Sequence, residues 1–111
     1  MAIKTAPAIE PVIHEGVMEM LQRYDCVAEF WDRVALAREC VPEMRSLEVR
    51  LLDDPDEQGN VWVKFEAFLA RPQPWDERHA REKYYVQEAA KRFKSRFTPR
   101  FPLLVRVPEE S

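Results

Sequence analysis

Apolar and polar residues alternate most regularly between Ser46 and Leu69. Leu47, Val49 and Leu51 fall on one side of an extended chain and Glu48 and Arg50 on the other, the period of two that points one face of a strand at a core. The run from Val61 to Leu69 repeats the pattern, with Val61, Val63, Phe65, Ala67 and Leu69 on one side and Trp62, Lys64, Glu66 and Phe68 on the other. Between them Asp53 to Asn60 holds proline, glycine, aspartate and asparagine, residues that set turn dihedrals or bond their own backbone. The spacing predicts two antiparallel strands joined by an acidic turn.

Before the hairpin, an uninterrupted 3.6-residue pattern predicts one helix from His14 to Cys40, with Val17, Met20, Leu21, Tyr24, Ala28, Trp31 and Ala35 facing inward. Val41-Pro42 stops it, because the residue before proline resists the α region. Met18, Cys26, Phe30 and Ala37 project on a second side of that helix. After the hairpin, Ala70 to Pro74 is a rigid connector, and Pro74 suits the first turn of a new helix. That helix is expected to run from Trp75 to Phe97, with Trp75, His79, Val86, Ala90, Phe93 and Phe97 toward the core, and Thr98-Pro99 ends it. Phe101 to Val107 reads as a third strand with Leu103, Val105 and Val107 inward.

The elements describe a small α+β fold in the order helix, strand, strand, helix, strand, an antiparallel sheet with two helices packed on one face. Residues 1–13 form an extended arm, 14–108 a single domain and 109–111 an acidic tail. If the arm adds an edge strand, the order becomes βαββαβ, the ferredoxin-like arrangement.

A chain of 111 residues has room for one modest core. Its net charge of −3 conceals a division. Residues 1–70 carry 7 Lys and Arg against 14 Asp and Glu, whereas residues 71–106 carry 10 against 4. Cys26 and Cys40, fourteen apart on one expected helix, would lie about 21 Å apart along its axis and cannot be bridged there. Reduced thiols, no leader sequence and no long apolar run together point to the cytoplasm, away from membranes.

Candidate chemistry is sparse. Asp54, Asp56 and Gln58 fall at the first ligand positions of a calcium loop with Gly59 at the sixth, but Phe65 stands where the twelfth-position glutamate is needed. No metal site or cofactor is expected. The two histidines, two cysteines and three serines repeat no catalytic spacing, and with only Gly16 and Gly59 the chain has no phosphate-binding loop. A non-catalytic protein is expected.

Two binding surfaces remain. Trp62, Phe68, Leu52 and Leu104 lie on the sheet face opposite the core, and Phe30 on the second side of the first helix; these apolar positions suit a protein-protein interaction module, whether homodimer, adaptor or neutralising subunit of a small protein pair. The alternative is RNA or single-stranded nucleic-acid binding by the second helix, where Arg81, Tyr85, Arg92 and Arg96 interleave cations with an aromatic plane.

Overall fold

The computed structural model of the chain describes residues 10–53, 61–93 and 101–108. In chain order these form β1 (Val12–Ile13), α1 (Val17–Arg23), α2 (Val27–Cys40), β2 (Met44–Asp53), β3 (Val61–Leu69), α3 (Trp75–Arg92) and β4 (Leu103–Arg106). The fold is α+β, and the four strands lie in one sheet in the order β1-β2-β3-β4.

The alternation in the central strands sets the register. β2 and β3 pair antiparallel with Leu47 opposite Ala67, Val49 opposite Phe65 and Leu51 opposite Val63. These inward residues are buried, Leu51 partly. The turn expected to join the strands, and the calcium-loop positions Asp54, Asp56, Gln58 and Gly59, lie outside the described residues.

The arm does add an edge strand, but the sheet is mixed, not antiparallel. β1 pairs parallel with β2 and β4 pairs parallel with β3. Each pair is joined by a helical crossover, the connection that parallel neighbours require. In a split βαβ unit another strand separates the two; here they are direct neighbours, so the ferredoxin-like order does not form. Phe65, on the inner face, meets Phe30 of α2 at 5.8 Å and Tyr85 of α3 at 6.4 Å between ring centroids, so both crossovers cover the same face. They also step in the same direction from strands that run oppositely. Their hands are therefore opposite and one is left-handed, a rare connection.

The single helix expected from His14 to Cys40 is two helices. At the end of α1 the Cys26 N–H donates to the Leu21 carbonyl at 2.9 Å and the Asp25 N–H to that of Gln22 at 3.1 Å. Asp25 stands between them at φ 52. These are the paired bonds of a Schellman termination, with aspartate in the left-handed position that glycine usually fills. The interruption shifts the helix phase. Phe30, Val34, Ala37 and Cys40 of α2 are buried, whereas Tyr24 and Trp31, assigned to the core by an unbroken period, are 47% and 44% exposed.

α3 is rotated likewise. Its buried residues are Tyr85 and Ala89, while Trp75 and Val86 are 62% and 61% exposed. His79 and Ala90, two more of the expected inward residues, are exposed too. Two neighbouring stripes on this helix carry aromatic or aliphatic groups. Tyr85 occupies the inner one because its ring packs on Phe65 and its hydroxyl donates to the Phe101 carbonyl at 2.9 Å. α3 closes at Phe93, whose N–H reaches the Ala89 carbonyl. The expected extension to Phe97 lies outside the described residues.

Candidate docking face

With α1, α2 and α3 joined into crossovers over the Phe65 side, the opposite face of the sheet presents its side chains in rows. Ser46 of β2 stands opposite Phe68 of β3, which pairs with Arg106 of β4. The next row is Val12, Glu48, Glu66 and Leu104. Arg50 and Lys64 follow, and then Leu52 and Trp62. His14 is one residue beyond the paired end of β1, at the level of Arg50, and its N–H donates to the Val49 carbonyl at 2.9 Å.

Strand pairing alone makes these rows unfavourable. Glu48 lies directly opposite Glu66 and Arg50 directly opposite Lys64, and like charges across a strand pair repel. The side chains resolve the conflict diagonally. Arg50 donates from Nη2 to Glu48 at 2.8 Å and from Nε to Glu66 at 2.9 Å. Arg106 donates from Nε to the other oxygen of Glu66 at 2.5 Å. His14 Nε2 bonds Glu48 at 2.8 Å. One chain of charge-assisted bonds therefore runs from the residue after β1 across β2 and β3 to β4 on the solvent side.

Glu66 is the centre of this network and is only 4% exposed, the one buried charged residue among those described. A carboxylate there needs both arginines, because a desolvated charge without partners is costly. Glu48 is held below the ordinary carboxylate range, first by the hydrogen bond from His14 and then by Arg50, against some opposing desolvation. Around the charges stand Leu52 and Trp62 at one end and Phe68 at the other, with Leu104 beside Glu66, all half-buried. The face thus combines a cross-linked polar strip with apolar ends.

The sequence reading placed Trp62, Phe68, Leu52 and Leu104 together, and the structure does bring them to one face. Phe30 is not with them. Its ring is fully buried between Trp31 at 5.0 Å and Phe65 at 5.8 Å, so it is a core residue and offers no partner contact. What the sequence reading missed is the role of Glu66 with Arg50 and Arg106. The available signal was a lone glutamate in the middle of an apolar strand with Arg50 one diagonal away in the hairpin.

The second candidate surface is not assembled as expected. Tyr85 is 1% exposed and cannot stack on a base. Burial pushes its hydroxyl up to about 12, although Arg33 works in the opposite direction. Arg81 pairs with Glu43. Arg92 bonds Glu39 at 3.1 Å and Glu88 at 3.3 Å, and Glu39 raises its proton affinity further. Arg96 lies outside the described residues. The face of α3 that carries Arg81, Tyr85 and Arg92 turns toward α2, which removes its aromatic from solvent and gives its cations acidic partners.

Of the other candidate groups among the described residues, His79 is exposed and stacked on an aromatic ring, and both cysteines are buried. The Trp75 ring stacks on His79 at 4.7 Å with the planes 7° apart. Both cysteines are free and buried; burial raises both thiols, that of Cys40 to about 11, so neither is a ready thiolate. Arg33 lies 4.5 Å from the centroid of Phe93 and 4.6 Å from that of Phe101, a cation–π clamp joining α2 to the end of α3 and the start of β4. The open side of β4 is guarded by Glu82, whose carboxylate accepts the Val105 N–H at 2.8 Å. Among the described residues no helix is long and apolar enough to cross a membrane. Comparison with protein-family models, with curated proteins and with solved structures finds no match to this chain.

Proposed function

We propose that this chain is a non-catalytic protein-interaction module and that its working surface is the sheet face of Trp62, Phe68, Leu52 and Leu104. The observation that supports this most directly is the state of the charges between them: Glu48, Arg50, Glu66 and Arg106 already hold one another, Glu66 from a buried position. Side chains fixed before binding lose little further freedom on binding, which favours association. Aromatic and arginine side chains at such a site are the residue types that carry binding energy when water is excluded around them. A homodimer, an adaptor or the neutralising subunit of a small protein pair would each use this surface.

The test is position-specific cross-linking in the source cell. A photoreactive residue at Trp62 or Phe68 is expected to give protein adducts, and one at Val86, exposed on α3, is expected to give none. Adducts at Val86 with none at the two sheet positions would remove the reading.

A further inference from the structure

We infer that the occupant of this face is a second copy of the chain, packed sheet to sheet about a two-fold axis. The axis runs across the strands, midway between the row of Glu48 and Glu66 and the row of Arg50 and Lys64. This rests on the interaction reading above and adds the identity of the partner.

A two-fold axis lying across the strands sets each strand over its own copy and reverses the order of the rows, so each row faces its mirror row in the other copy. Glu48 then meets the second copy's Arg50, and Arg50 meets the second copy's Glu48. Each copy already joins its own Glu48 to its own Arg50 at 2.8 Å, so four charges of alternating sign close a ring on the axis. Lys64 comes to rest over the second copy's Glu66. At the ends, Phe68 faces the second copy's Trp62 and Ser46 faces its Leu52, so each aromatic at one end of the face finds an apolar partner.

The other simple alignment fails. With the axis along the strands, between β2 and β3, Glu48 would face Glu66 and Arg50 would face Lys64. Those are the like-charge juxtapositions that exclude a wrong arrangement. The face is thus self-complementary in one orientation and self-repelling in the alternative. Strands in the favoured pairing run nearly parallel or antiparallel to those facing them, the aligned geometry of two-sheet packings.

The size of the patch sets the strength. From the row of Ser46 to that of Leu52 is about 20 Å, and four strands span about 19 Å, a footprint of roughly 400 Å². A stable interface commonly covers about 800 Å² per partner, so this dimer is expected to be weak and concentration-dependent. The charge ring then determines orientation, and the aromatic ends supply most of the attraction.

The experiment is sedimentation equilibrium on the full chain with Glu48→Arg and Arg50→Glu, each shown to be folded by circular dichroism. The wild type is expected to dimerise in the micromolar range, and each variant alone to weaken at least tenfold, because position 48 then repels position 50 of the other copy. Mixing the two variants is expected to restore association. Arg at 48 of one copy then faces Glu at 50 of the other, and Arg50 of the first faces Glu48 of the second. A local effect within one copy is not rescued by mixing.

A second readout tolerates a destabilised Arg50→Glu. Copies carrying Phe68→Cys and copies carrying Trp62→Cys are expected to be joined to each other by a short bis-maleimide, whose reach matches the roughly 10 Å between stacked sheets, and far less to themselves. The native Cys26 and Cys40 are buried and do not compete. A wild type that stays monomeric, a dimer indifferent to both reversals, or folded variants that remain monomeric on mixing would each overturn the inference. Photo-adducts from Trp62 to another protein and none to this chain would overturn the second copy while supporting the interaction reading; adducts from neither sheet position would overturn both.

Discussion

Tyr85 has exchanged water for the Phe101 carbonyl and the neighbouring Arg33, and the cost of charging its buried oxygen, which Arg33 only partly offsets, pushes its ionisation up to about 12. A raised value in the folded state means that the contribution to stability is complete below the unfolded tyrosine range near pH 10. It is lost as pH rises through about 12. An absorbance titration is expected to show one tyrosine ionising only there, and Tyr85→Phe is expected to abolish that step. Burial also decides which aromatic substitutions are costly. Phe30→Ala should lose about 3–5 kcal/mol on denaturant unfolding, as should Phe65→Ala, because each empties a closed site. Trp31→Ala should lose much less, since its ring is 44% exposed. Glu48 has the opposite sign from Tyr85. Its value is depressed, so its contribution is present above the ordinary carboxylate range and disappears as pH falls through the depressed midpoint. A carboxyl NMR titration should show that midpoint rising in His14→Ala, the loss of the larger of its two hydrogen-bond contributions.

At the scale of the element, the break between α1 and α2 is the decisive local feature. Asp25 supports it by accepting φ 52, where most side chains crowd the backbone. Asp25→Gly is expected to change stability by less than about 1 kcal/mol, and Asp25→Val to lose about 1–2 kcal/mol, as measured by thermal unfolding. Gly16, which opens α1, is more constrained. It has φ 88, and an added Cβ would lie 3.1 Å from Leu51 Cδ1, so Gly16→Ala meets both backbone strain and a neighbouring side chain. α3 shows a different balance. Asp76 and Glu77 in its first turn and Lys91 and Arg92 in its last match the helix dipole, yet its orientation follows the Tyr85 ring, not the stripe of Trp75 and Val86.

Over the whole molecule, the acidic first part of the chain and the basic second part meet. Glu39 bonds Arg92, Glu43 pairs with Arg81, and Glu66, the last acid of the first part, holds Arg106. Arg81, Arg92 and Arg106, part of the basic charge that suggested a nucleic-acid surface, are thereby paired across the fold. The exposed pairs, Glu39 with Arg92 and Glu43 with Arg81, orient the elements more than they hold them, whereas the buried Glu66 depends on its arginines. Single-stranded RNA at physiological salt is expected to be retained weakly on a filter and equally by the wild type and Arg92→Ala. A steep loss in the variant would show that Arg92 contacts phosphate despite its acidic neighbours.

The paired strands β2 and β3 are legible from the residues alone, down to which of them face the core. Period-two alternation is local, and a slip of one residue would turn every apolar side chain to solvent, so burial enforces the register that the pattern states. The sequence also placed Trp62, Phe68, Leu52 and Leu104 on the outer side, because the same alternation assigns both faces at once. The helix faces were not legible in the same way. Phe30 and Trp31 are adjacent, as are Tyr84 and Tyr85, so two stripes compete, and only packing on Phe65 selects between them. Nor does the chain state locally that Val12 would pair beside Glu48, or Leu104 beside Glu66. Those pairings join segments separated by a helical crossover; the hairpin alone sets Arg50 beside Glu66, and only the pairing of β4 with β3 brings Arg106 to its other side.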